Sequence, residues 1–357
     1  MEKKFLFNCL IFKKNGLFTS LKNLMWSNFV FLGALLLLSA ACNNANNDSG
    51  VVINEIMASN HSSIMAQDGE LYDWIELKNI SNKPESLDKF TLVVEKIDNY
   101  SNDNQDNATQ KSWQLPAVEI KPGECILIFA SKKDNSDSNG ELHADFKLPS
   151  KGGKLMLKQG ENVVSEVSFG ELEDDQCYAR LDDGSYGTFY EPTPGFDNNE
   201  EGYEKYCSLI EKQRTGALRI WELHSKGHIN GEAWIEFKNV GDSAINLQDY
   251  CLTTSKKELD QWRFPQVQLQ PGEFYVVNSK EVGFVIGKNK SISIYKDGKL
   301  VDAMCASAAP KGCSAGRVQG KDGIFYFSSP TKGAENTTPA SRKVQDKDND
   351  ESEDYDE

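Results

Sequence analysis

The phrase WIELKNISNKPESLDKFTL begins at Trp74, and WIEFKNVGDSAINLQDYCL begins at Trp234. A phrase written twice at this distance constrains the fold more than any other feature of the chain. The echo extends in order on both sides. INEI from Ile53 matches IWEL from Ile220, and WQLPAVEIKPGE from Trp113 matches WRFPQVQLQPGE from Trp262. GKLMLKQGENVVSEV matches KSISIYKDGKLVDAM, Arg180 matches Arg317, and EPTPGFDN matches SPTKGAEN. A unit of this size is too long for a solenoid repeat and has the dimensions of a duplicated globular domain.

Each unit reads as short strands between turn signals. In Trp74-Ile75-Glu76-Leu77 alternate side chains point to opposite faces, so Ile75 and Leu77 are expected in a core, with Trp74 and Glu76 on an exposed face. Lys121-Pro122-Gly123-Glu124 suits a type II turn, where proline presets the first corner and glycine supplies a positive φ at the second. CILIFA and FYVVN are continuous apolar runs, as in strands covered on both sides. The predicted class is all-β, with two immunoglobulin-like β-sandwich domains in tandem over 51–199 and 217–338. Between them, Tyr203, Tyr206, Cys207 and Ile210 lie at helical spacing and predict a short helical linker over 200–216, ended by Gly216.

The remaining segments read as address and solvent. Five lysines, the apolar run VFLGALLLLSAA and then Cys42 form a lipoprotein signal peptide over 1–41, with translation starting at Met1 or Met25. Cys42 is the expected lipidation site, because small Ala40 and Ala41 let a peptidase bind the extended backbone before it. Residues 42–50 read as a polar tether, and 339–357 as a disordered acidic tail. The first unit also carries an insertion, DNYSNDNQDNATQ, between Leu92 and Trp113. A formal charge of −15, with no basic cluster in the exported part, argues against a nucleic-acid partner. Beyond Cys9 and Cys42 lie Cys125, Cys177, Cys207, Cys251, Cys305 and Cys313, with no C-x-x-C pair to suggest a zinc ribbon or a redox site. Cys305 with Cys313 is a local disulfide candidate, and Cys177 and Cys313 are matched between the units.

Taken together, INEI, DWIELKNISNKPESLDKFTL, WRFPQVQLQPGE, LHADFKLPSKGGKLML and EPTPGFDN resemble the lamin tail domain, an immunoglobulin-like sandwich. The resemblance covers 51–199 well and 217–338 more loosely, since the second unit has no counterpart of HADFKL. It implies architecture and a tethering or binding role more than an activity. With the lipoprotein leader, the chain is most similar to cell-envelope proteins of Bacteroidetes-type bacteria.

Several residues invite a chemical role. GCSAG at Gly312 satisfies G-x-S-x-G, but a nucleophile elbow needs a helix after the serine, and RVQGKDGIFYF reads as turn and strand. His224 and His228 have a metal-ligand spacing only on a helix, and Gly227 argues for a loop. The tail acids Asp346, Asp348 and Asp350 lack the glycine a calcium loop needs. Glu55 with Glu76, and Glu222 with Glu236, recur in both units. Each pair either meets on one exposed face and binds a cation or a basic ligand, or has one carboxylate accepting hydrogen bonds from loop backbone and the other solvated; the second account is favoured. Trp74, Trp113, Trp234 and Trp262 either stack on sugars or seal sandwich edges, and sealing is favoured.

The expected function is a non-catalytic, lipid-anchored outer-membrane lipoprotein that binds or tethers an envelope glycan or protein. No cofactor and no metal are expected. The candidate binding face is Glu55, Trp74, Glu76, Glu222, Trp234 and Glu236. The alternatives are a metal-dependent hydrolase, or an accessory subunit of one, using the repeated carboxylates, and a structural scaffold.

Overall fold

The computed structural model describes residues 50–96, 110–135, 140–214, 216–225, 232–287, 290–306, 309–310 and 312–337. The leader, Cys42, most of the tether, most of the insertion, His228 and the acidic tail lie outside the described residues.

In the first half, one sheet runs in the order Tyr186–Phe189, Cys177–Arg180, Val51–Met57, Trp74–Asn79, Cys125–Phe129, Leu142–His143. The facing sheet runs Asn162–Phe169, Gly153–Gln159, Phe90–Lys96, Gln110–Gln114. Ile53, Ile75, Leu77 and Ile128 from the first meet Phe90, Leu92, Leu155 and Leu157 from the second in one apolar core. All pairings are antiparallel except Cys125–Phe129 with Leu142–His143.

The second half repeats the plan with its own core, built around Ile220, Ile235, Phe237, Leu252, Ile292 and Ile294. Its sheets run Phe274–Asn278, Trp234–Asn239, Leu218–His224, Ser314–Gly316, Phe325–Phe327 and Trp262–Arg263, Tyr250–Thr253, Ser291–Lys296, Lys299–Cys305. Where the first half has Leu142–His143, the second has a short helix, Ser279–Val282, closed by a capping box of Asn278 and Glu281.

The repeated words fold identically. Asn79 and Asn239 each turn a side-chain amide to two loop carbonyls, of Lys83 and Ile120 in one case and of Ser243 and Leu269 in the other. In the two PGE turns Gly123 and Gly272 have φ of 76° and 78°, and each donates its N–H to the carbonyl of that asparagine. The first strand of each half carries a bulge, between Ile53 and Glu55 and between Ile220 and Glu222. Beyond it Glu55 lies opposite Glu76, and Glu222 opposite Glu236.

The helix spans Glu200–Gln213 and ends at Arg214, short of Gly216. Asn199 caps its start by accepting from Gly202 N, and Tyr203, Tyr206 and Cys207 form its buried face. It stops early because Arg214 takes extended backbone and directs its guanidinium 3.2 Å from buried Asp302. Glu211 also pairs with Arg219 and Arg317, tying the helix to the second half. The halves touch directly where Asp174 accepts from Ser291 N and Lys256 donates to the carbonyl of Leu71.

Two expectations need correction. Glu55 lies opposite Ala179 and Glu222 opposite Gly316, so the residue matching Cys177 is Ser314, not Cys313. No disulfide joins Cys305 to Cys313: the Cys305 thiol donates to the carbonyl of Asp174 at 3.6 Å, while Cys313 is enclosed in the second core.

Candidate functional site

The face bearing Trp74 and Glu76 is not exposed. Glu55, Trp74, Glu76, Glu222 and Glu236 are all fully buried, and Trp234 is 6% exposed. Alternation does place Ile75 and Leu77 in the core and Trp74 and Glu76 opposite. The chain then returns over that second face. Trp74 is enclosed with Met57, Ala66 and Phe129, and its Nε1 donates to Ser63 Oγ at 3.0 Å. Trp234 packs edge-on to His224. Trp113 is likewise buried and donates to Asp134, and half-buried Trp262 packs on Phe264. The six residues expected to present a binding face therefore serve the interior.

What covers the glutamates is the stretch quoted above as EPTPGFDN and SPTKGAEN, which acts as a strap. Thr193 N–H donates to Glu55 at 3.1 Å with the Thr193 hydroxyl oxygen 3.0 Å from the same carboxyl, and Gly195 N–H donates to Glu76. In the second half Thr331 does the same for Glu222, and Gly333 N–H donates to Glu236. Asn198 accepts from the Thr193 hydroxyl and donates to the carbonyls of Asn54 and Arg180; Asn336 accepts from Thr331 and donates to those of Trp221 and Arg317. The acid before each asparagine pairs with the lysine of the repeated word, Asp197 with Lys78 at 2.7 Å and Glu335 with Lys238. The local rule is P-T-x-G-x-[DE]-N. Asn198, Asn336, Thr193 and Thr331 were not among the expected site residues, although the fixed spacing of this motif in both copies was a visible signal.

Burial sets the electrostatics. Removed from water, the Glu55 carboxyl is pushed up to about 7, with the Cys177 thiol and Thr193 drawing it back down. Burial and then the neighbouring Glu55 raise Glu76 to about 8. Burial also lifts Glu222, and it lifts Glu236 to about 7. Paired carboxyls of this kind hold protons more tightly than exposed ones and act as hydrogen-bonded anchors for the strap.

The remaining candidates fall inside the same framework. Ser314 is fully buried in a strand and donates its hydroxyl to Glu222, and no helix follows it. His224 is buried at the end of Leu218–His224. Among the described residues no group of three or more His, Cys, Asp or Glu is arranged to hold a metal ion, and no helix is long and apolar enough to cross a membrane.

Two facing sheets around one core, with a bulged central strand, define each half as an immunoglobulin-like β-sandwich. The family model for the Lamin Tail Domain matches residues 211–307, which takes in the end of the helix and most of the second sandwich. That part of the chain is recognised as lamin-tail-like. No curated protein matches the chain.

Proposed function

We propose that the protein is a non-catalytic binding or tethering module of the cell envelope, with two lamin-tail-like sandwiches and a lipid anchor at Cys42. The carrying observation is the fate of the repeated polar groups. The glutamate pairs, which a hydrolase would direct at substrate, receive donors from their own chain beneath the straps, and Ser314 spends its hydroxyl on Glu222. The Lamin Tail Domain match is consistent with this reading. The first half, which follows the same hydrogen-bonding plan, is taken as the second copy, and two copies offer bivalency. The partner is an envelope glycan or another envelope protein, at the outer membrane.

Crosslinking of the full chain in intact cells, with an alkyne-palmitate label, tests this. The expected result is a labelled chain, unlabelled in Cys42→Ser, and a recurrent crosslinked partner or glycan. Hydrolysis by the purified protein that disappears in both Glu55→Gln and Glu222→Gln would overturn it.

A further inference from the structure

Beside the bulge of the second half lies a cleft of about 510 Å3, within the ~300–1,000 Å3 of small-molecule sites. Three buried polar atoms in the residues that line it, Arg219 Nε, Trp221 Nε1 and Glu335 Oε2, have no hydrogen-bond partner in the protein. Arg219 Nε comes no closer than 3.6 Å to Glu211. Two are donors and one is an acceptor, and buried groups of this kind favour a ligand that supplies both complements.

The walls carry both signs of charge, with Arg219, Lys238, Arg317 and Lys321 against Glu211, Asp322 and Glu335. A ligand of either net charge would meet groups of its own sign, whereas a neutral polyol meets none that repel it. Lys238 stands 4.1 Å from the centre of the Trp221 ring and holds the indole in place.

The first half has no such arrangement. Asn54 occupies the bulge there and directs its amide to Glu76 at 2.6 Å and Asn198 at 3.2 Å, and Val52 stands where the second half has Arg219. The residues at these two positions therefore differ between the halves.

We propose that this cleft binds a neutral saccharide unit, with Trp221 and Arg219 donating to its oxygens and Glu335 accepting from a hydroxyl. The proposal deepens the binding reading above and rests on it.

Titration calorimetry of the exported chain with tri-N-acetylchitotriose, maltotriose and inorganic phosphate tests it. The expected result is binding of at least one saccharide and not of phosphate, weakened roughly tenfold in Trp221→Phe, which keeps the bulk and removes the N–H. Trp221→Asn, which copies the first half, should abolish it at temperatures where circular dichroism shows the variant still folded. Saccharide binding unchanged in Trp221→Phe overturns the site but leaves the binding reading standing. Binding of phosphate instead, or of neither saccharide, overturns the proposal, because the cleft then holds an anion or water alone. The binding reading fails separately, when crosslinking in cells recovers no partner.

Discussion

At the bulge of the first half stands Asn54, whose amide donates to Glu76; at the bulge of the second stands Trp221, and Glu236 Oε1 is left without a hydrogen-bond partner. The other neighbours differ as well. Cys177 is replaced by Ser314, and Cys125, opposite Lys78, by Phe274, opposite Lys238. The strap contacts survive all of these exchanges. What holds the architecture is therefore the set of backbone donors meeting buried carboxylates, and the bulge side chain varies around it. One half uses that freedom to complete its own hydrogen bonds, and the other opens a cleft.

The largest expected effect separates the pairs by pH. All four carboxyls bind protons more tightly in the fold than in the unfolded chain. Their contribution is full below the ordinary glutamate value of 4.5 and is lost as pH rises, through about 7 at Glu55 and Glu236 and about 8 at Glu76, with Glu222 shifted in the same direction. Thermal melts from about pH 5 to 9 should show Glu76→Gln flattening the decline to higher pH than Glu236→Gln does. Identical profiles for both variants and wild type would remove the electrostatic account.

Next comes the strap asparagine. Asn198→Leu and Asn336→Leu each strip donors from two backbone carbonyls, and each should lower unfolding free energy by about 2–4 kcal/mol in urea titrations. A neutral result in one half alone would break the equivalence of the straps. Asn54→Leu should cost about 1–3 kcal/mol, because it leaves Glu76 in the unsatisfied state that Glu236 already occupies. The smallest contrast is at the lysines. Lys238 is buried between Glu335, Trp221 and Phe274, so Lys238→Met should cost about 1–2 kcal/mol. Lys78 pairs with a mostly exposed Asp197, and Lys78→Met should cost under about 1 kcal/mol.

Much of this was legible in the residues. The alternation in WIEL placed Ile75 and Leu77 in the core, the PGE turn announced its glycine conformation, and the spacing of Tyr203, Tyr206 and Cys207 located the helix. The favoured account of the glutamates holds by half: carboxyls accept from loop backbone, but neither member of a pair is solvated, all four being fully buried. The exposed Trp/Glu face was misread because alternation assigns a side chain to a face but does not say what lies over it. Glu55 meets its strap across 138 residues, and Glu222 across 109.

The sequence by itself determined that the chain is all-β, that a phrase of strand and turn residues is used twice, and where the helix lies. Those properties depend on periods of two or 3.6 residues and on backbone preferences set within a few neighbours. Only the tertiary structure decided that the repeated glutamates are covered, that burial makes them hold protons more tightly, and that a tryptophan at one bulge lines a cleft. Each of these depends on which distant segment settles on a given surface and excludes water from it, and that is a property of the packed chain.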